Sequence, residues 1–220
     1  GSFVVTFPQA FHSGFSYGFN CGEAVNFAMP HWIEHAKLAN ERYRRIGRLA
    51  VLGHDRLIFT LARYVDELDA DACVMLRDEL KRLVREDVVS RARLYADGVR
   101  DISSVVAPPK NNTDVIDAAA CDYDDKRVCA VCRHTCFLSA VACNCSQTTV
   151  CCLRHVNYLC KCPPANKYLI EWESKDQLDA IVDKVNERLG DPGTAGQGQV
   201  SPDASPKPPP AAPEPAAVPA

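Results

Sequence analysis

The run from 129 to 162, CAVCRHTCFLSAVACNCSQTTVCCLRHVNYLCKC, constrains this chain more than anything else in it. Ten of the twelve cysteines fall between positions 121 and 162, leaving only Cys21 and Cys73 outside. Clustering this dense points to a disulfide framework or to metal ligation. A consistent donor set is Cys129, Cys132, Cys143, Cys145, Cys152, His155, Cys160 and Cys162, spaced C-x2-C-x10-C-x-C-x6-C-x2-H-x4-C-x-C. Tetrahedral zinc takes four Cys or His donors at about 2.0–2.3 Å, and one turn of backbone supplies two of them from a Cys-x2-Cys pair. Eight donors therefore make two closed structural zinc sites, with no open position for a catalytic water. A disulfide framework gives His155 no role, and Cys-x-Cys pairs are poorly placed to bridge within themselves.

Two pairings satisfy the spacing. Sequential sites group Cys129, Cys132, Cys143 and Cys145 apart from the last four donors. An interleaved cross-brace joins Cys129 and Cys132 to Cys152 and His155 (site one), and Cys143 and Cys145 to Cys160 and Cys162 (site two). Spacing leaves both open, and the cross-brace is the expectation taken to the structure. Cys151 and Cys152 compete for one ligand position, where Cys152 is favoured because Cys-x2-His fits a single helical turn. Cys136, before the apolar FLSAVA, reads as a buried thiol.

The remainder reads as helices around this cluster. HWIEHAKLANERYRRIGR is expected as a helix packing Trp32, Ile33, Ala36 and Leu38 inward. A second helix carries Leu57, Ile58 and Leu61. A third, over 69–99, carries Val74, Met75, Leu80, Leu83, Val84 and Val88 at helical spacing. Its charged face, RDELKRLVRED, reads as solvated and laced with i,i+4 pairs. APPKNNTD, 107–114, is the best internal loop. KYLIEW reads as a strand, and Ser174 with Gln177 forms a capping-box pattern opening a helix to about Leu189. Positions 191–220 hold nine of the fifteen prolines and no aromatic residue, too little apolar bulk to offset ordering entropy, and are expected to be a disordered tail. The formal charge of −3 argues against a uniformly basic nucleic-acid binder. No run is long and apolar enough to span a bilayer. His31 to His35 spells H-x-x-E-H, the inverted zinc-protease signature. A protease would also need a third ligand at a suitable downstream position, and five-residue patterns arise easily by chance, so the helix reading is preferred.

The N-terminal stretch FPQAFHSGFSYGFNCGEAVNFA follows a short strand-like run, FVVTF, and GEAVNFA reads as a second strand. The chain opens directly in strand-like sequence at Gly1, which reads as a piece of a longer protein. This stretch resembles the end of the catalytic JmjC domain of histone lysine demethylases. The cysteine block resembles the C5HC2 zinc finger that follows that domain in the lysine-4-specific (JARID) group. The resemblance continues through HDRLIFTLARY and YLIEWESKDQLDAIVDKVNERL.

The resemblance implies a double-stranded β-helix holding Fe(II) with two histidines and a carboxylate, and a 2-oxoglutarate-dependent dioxygenase that demethylates lysine 4 of histone H3. It places the distal iron ligand at His12 and the substrate side at Asn20, Ala24 and Asn26, with Phe15 and Gly18 in the same loop. At Ser16 familiar members often carry Asn. None of the six histidines begins His-x-Glu or His-x-Asp, so the other iron ligands are not in this chain, nor is the family's 2-oxoglutarate lysine. The fragment alone is expected to be inactive. The alternative is a non-catalytic zinc-binding module for chromatin or protein contacts. Implied partners are the histone H3 tail and chromatin, with nuclear localisation, no membrane, and no direct DNA binding by this segment. The expected fold class is α+β, mostly helical, ordered as follows: the end of the JmjC barrel (1–30), a helical domain (31–120), the zinc finger (121–165), a strand and helix (166–190) and the tail (191–220).

Overall fold

The computed structural model describes residues 2–104 and 127–190. The expected loop at 107–114, Cys121 and the 191–220 tail lie outside them. Among the described residues four α-helices precede or follow a small sheet: α1 (Trp32–Ile46), α2 (His54–Arg63), α3 (Ala70–Ala96) and α4 (Lys175–Arg188). The strands are β1 (Asp101–Ser104), β2 (Ser139–Cys143), β3 (Ser146–Cys151) and β4 (Lys167–Glu171). Their order is β1-β4-β2-β3, with β2 antiparallel to both neighbours and β1 parallel to β4. The class is α+β. β4 pairs along its whole length with β2, so the sheet runs through position 165, where the sequence reading ended the finger.

Two apolar cores share α3. In the first, Leu76, Leu80, Leu83 and Val84 of α3 meet Ile58, Phe59 and Ala62 of α2, Leu178 and Val185 of α4, and Phe137 and Leu138. In the second, Leu94 near the end of α3 joins Val99, Ala140, Val141, Leu169 and five cysteines of the finger. Caps set the helix limits. Asp69 accepts a 2.7 Å bond from the Ala72 N–H at the start of α3. Ser174 and Gln177 make the reciprocal capping box of α4. Gly190, at φ 72°, lies just beyond its end, a conformation glycine adopts without strain.

Three expectations are corrected. Neither FVVTF nor GEAVNFA forms a strand among the described residues: a strand exists only by pairing, and no described strand pairs with 2–30, whose aromatic side chains are exposed. On α1 the buried face is Ile33, Ala36 and Asn40, while Leu38 is 61 % exposed. Position 38 lies about 140° around the helix from 33, so a polar Asn40 takes the inward place. The charged face of α3 is not simply solvated, because Glu79, Asp87 and Arg91 are buried.

Glu79 shows why that burial is tolerated. Its carboxylate receives two bonds from Arg82, at 2.6 and 2.8 Å, and lies 2.7 Å from His54 Nε2. Burial works against the charge, but the hydrogen bonds from Arg82 and His54 outweigh it and hold the carboxyl at about 2. A depressed carboxyl contributes fully above its ordinary value of 4.5 and loses that contribution as pH falls toward about 2. Replacing Glu79→Gln is expected to cost about 2 kcal/mol at neutral pH. The gap to wild type should close as pH drops through that window, as read by denaturant unfolding under circular dichroism.

Candidate metal centres

The finger is built from two turns that present donors to each other. In the first, the Cys129 N–H donates to His134 O at 2.8 Å and the Arg133 N–H to Cys129 O at 3.0 Å, folding Cys129 and Cys132 onto one side. Arg133 closes this turn at φ 61°, a left-handed backbone rare for a non-glycine residue. A bond from the Ala130 N–H to Val150 O ties the turn to β3. In the second, Cys152 caps a 3-10 turn (Leu153–Tyr158) within which His155 bonds back to Cys152 O at 2.8 Å.

The structure brings Cys129, Cys132, Cys152 and His155 together, with all four donor atoms within 4.8 Å of one another. The Cys132 and Cys152 sulfurs are 3.8 Å apart, and His155 Nδ1 is 3.6 Å from Cys129 Sγ and 3.2 Å from Cys152 Sγ. Donors about 2.0–2.3 Å from a tetrahedral centre stand roughly 3.3–3.8 Å apart, so this set fits zinc. A disulfide needs sulfurs about 2.05 Å apart, and every cysteine among the described residues is a free thiol. The charges agree: hydrogen bonds from Cys132 and Cys152 drive the Cys129 thiol strongly down, while contact with Cys129 pushes Cys132 and Cys152 up. Three crowded sulfurs cannot all ionise unless a cation sits among them.

The second group is Cys143, Cys145, Cys160 and Cys162, again within 4.8 Å. Cys143 ends β2 and Cys145 lies in the hairpin turn, while Cys160 and Cys162 follow the 3-10 turn. An Asn144 N–H to Asn166 O bond of 3.0 Å holds the hairpin against the segment entering β4. The backbone N–H of Cys145 lowers the Cys143 thiol to about 7, favouring the thiolate that binds metal. The donors are thus interleaved rather than sequential. Cys151 is buried in the second core, where it pairs with Val141, and burial first of all raises its thiol to about 11. Cys136 is likewise buried, and burial pushes its thiol up.

His12 stands apart. It is exposed, its Nδ1 lies 3.4 Å from Ala10 O, and it belongs to neither donor group. Asn20 donates to Ser16 Oγ at 3.3 Å, and Ala24 and Asn26 are exposed. The described residues therefore do not complete an iron site. Of the H-x-x-E-H motif, His31 precedes α1 and His35 lies 3.5 Å from Gln9 Nε2, and neither belongs to a donor group among the described residues.

Sequence reasoning missed the polar and charged residues that hold the finger to the helices. His134, two residues after Cys132, sits 2.6 Å from Arg44 Nη2 and 3.2 Å from the buried Asp55. Burial opposes the Asp55 charge, but the hydrogen bond from His134 and the charge of Arg44 hold its carboxyl at about 2. Arg154, between Cys152 and His155, reaches Glu41 on α1 and Glu86 on α3. The one signal in the sequence was a charged residue inside each ligand turn.

Two family models match the chain: the JmjC domain, described as a hydroxylase, over residues 1–27, and the C5HC2 zinc finger over 129–181. Lysine-specific demethylase 5D of Homo sapiens is 36 % identical over 188 residues, 86 % of this chain and 11 % of that protein. Lysine-specific demethylase 5B of Gallus gallus is 36 % identical over 163 residues, 74 % of this chain and 10 % of its own length. Lysine-specific demethylase JMJ17 of Arabidopsis thaliana is 32 % identical over 190 residues, 86 % of the chain and 15 % of the relative. The chain thus spans only about an eighth of the relatives it matches. Joining the end of a JmjC domain to a C5HC2 zinc finger, with this similarity running between them, the chain belongs to the JmjC and C5HC2-finger family that includes the lysine-specific demethylases 5D and 5B.

Proposed function

We propose that the chain is the C-terminal part of an Fe(II)- and 2-oxoglutarate-dependent demethylase acting on lysine 4 of histone H3. It supplies the distal iron ligand His12 and a structural finger carrying two zinc ions. Cys129, Cys132, Cys152 and His155 hold the first zinc, and Cys143, Cys145, Cys160 and Cys162 the second. Asn20, Ala24 and Asn26 line the substrate side. The partners are the histone H3 tail and chromatin, in the nucleus. In this reading residues 1–30 close the catalytic barrel, and 31–190 form the helical and finger scaffold that supports it. Among the described residues no helix is long and apolar enough to cross a membrane.

The observation that carries the reading is the pairing, in one short chain, of a JmjC match ending at residue 27 with an eight-donor finger whose two groups each bring four donor atoms within 4.8 Å of one another. The test is His12→Ala in the full-length protein, assayed by mass spectrometry on a histone H3 peptide methylated at lysine 4. The substitution is expected to abolish demethylation while leaving the zinc content at two. A wild-type protein that holds both zincs yet never demethylates the peptide would favour the second reading, a non-catalytic chromatin or protein interaction module. That reading draws on the exposure of His12 and its place outside both donor groups among the described residues.

A further inference from the structure

Site one is gripped from outside by charged side chains that ligate nothing. Arg154 sits between two of its donors, Cys152 and His155. Its guanidinium forks onto Glu41 of α1, Nη1 to Oε2 at 3.0 Å and Nη2 to Oε1 at 3.1 Å. The same group donates from Nε to Glu86 Oε1 of α3 at 2.8 Å. Glu86 Oε2 in turn accepts from Arg82 Nη1 at 2.8 Å, so its direction is fixed within α3. One helical turn beyond Glu41, Arg44 meets His134 in the other ligand turn. Arg44, Glu86, His134, Cys152 and Arg154 line one small cavity of about 60 Å³ between helices and finger.

We propose that Arg154 is a positioning residue that makes the first zinc site and the packing of α1 and α3 against it one unit. Loss of that zinc then frees α1, the helix that directly follows the segment bearing His12. The proposal rests on the zinc reading above. Its physical basis is geometric. The position of the Cys152–His155 turn decides whether two of four donors meet the metal, and a planar fork fixes orientation where a point charge does not. Arg154, Glu41 and Glu86 are each more than a third exposed, so their contribution to global stability is small. The effect therefore falls on metal retention, which outer partners of a ligand change by about 10- to 100-fold.

The test is transfer of zinc from the loaded chain to a chromogenic chelator, with hydrogen exchange of α1 measured before and after metal removal. Wild type should release two zincs, and α1 should lose protection when the first one leaves. Arg154→Ala should speed release of one zinc about tenfold, leave the other unchanged and lower α1 protection in the loaded chain. Arg154→Lys should fall between them. Glu41→Gln, on α1 and remote from the ligands, should repeat the effect in milder form and serves if Arg154→Ala misfolds. Unchanged release in Arg154→Ala and Glu41→Gln, or α1 protection indifferent to zinc, overturns the proposal while leaving the zinc reading intact. A wild-type chain that binds fewer than two zincs defeats the zinc reading itself.

Discussion

Stripping the zinc with a strong chelator is expected to unfold the sheet half of the molecule, not to loosen one loop. Cys129, Cys132, Cys143 and Cys152 are all buried, and β2 ends on one ligand while β3 leads into another. Without a cation the crowded sulfurs must take up protons and lose the separations that fit a tetrahedron. Structural zinc supplies on the order of 10 kcal/mol to small metal-organised folds. Whole domains are stable by only about 5–15 kcal/mol, so little would remain. Cys152→Ser should lower the zinc content from two to one by elemental mass spectrometry and erase hydrogen-exchange protection around Val141 and Leu169. Cys151→Ser, at the neighbouring buried position, should keep both zincs. A chelated chain that retains its protected sheet would show that the apolar core, not the metal, holds the finger.

The second large effect is expected at Arg91, whose side chain is 6 % exposed. It donates from Nη1 to Glu171 Oε2 of β4 at 2.6 Å and to Glu173 O at 3.0 Å, and from Nε to Ser139 Oγ of β2 at 3.0 Å. Asp87 Oδ2 lies 2.6 Å from Nε but is not aligned to accept from it, so that contact is one of charge. Burial pushes the Asp87 carboxyl up, and the positive charge of Arg91 opposes that. Arg91→Ala leaves Asp87 buried without its counter-charge and unpins α3 from both strands, a loss of about 3–5 kcal/mol. The double change Arg91→Met with Asp87→Leu removes the stranded charge and should recover most of that loss. Urea unfolding of the zinc-loaded proteins, with metal content unchanged, separates this effect from metal release. If Arg91→Ala unfolds at the wild-type midpoint, the pin contributes nothing.

What could be read from the sequence was whatever rests on local chemistry. The Cys-x2-Cys and Cys-x2-His spacings identify their donors because one turn of backbone sets the geometry, and the Ser174–Gln177 box marks a helix start for the same reason. The strands were harder. β1 is four residues, DISS, with no alternation to notice, and β2 hides inside the apolar run after Cys136. Each exists because another strand, distant in sequence, pairs with it. The face of α1 was misjudged at Leu38 because hydrophobicity was weighed above angular position. The burial of Glu79, Asp87 and Arg91 could not be seen at all, since the partners that make it tolerable, His54, Ser139 and Glu171, come from other segments.

The 27 residues of α3 run through both cores, with Leu76 and Leu80 at one end and Leu94 at the other. At about 1.5 Å per residue that is a single rod some 40 Å long. With both zincs bound, such a rod leaves no soft joint at which the helical part and the finger can melt separately, so heat or denaturant should take the loaded chain in one cooperative step. The finger is consequently not a portable cassette. Cut free ahead of residue 127 it would lose Leu94, Val99 and the β1 strand that flanks β4, and it would expose the apolar face they cover. Exchange of such fingers between related proteins should succeed only when the long helix travels with them.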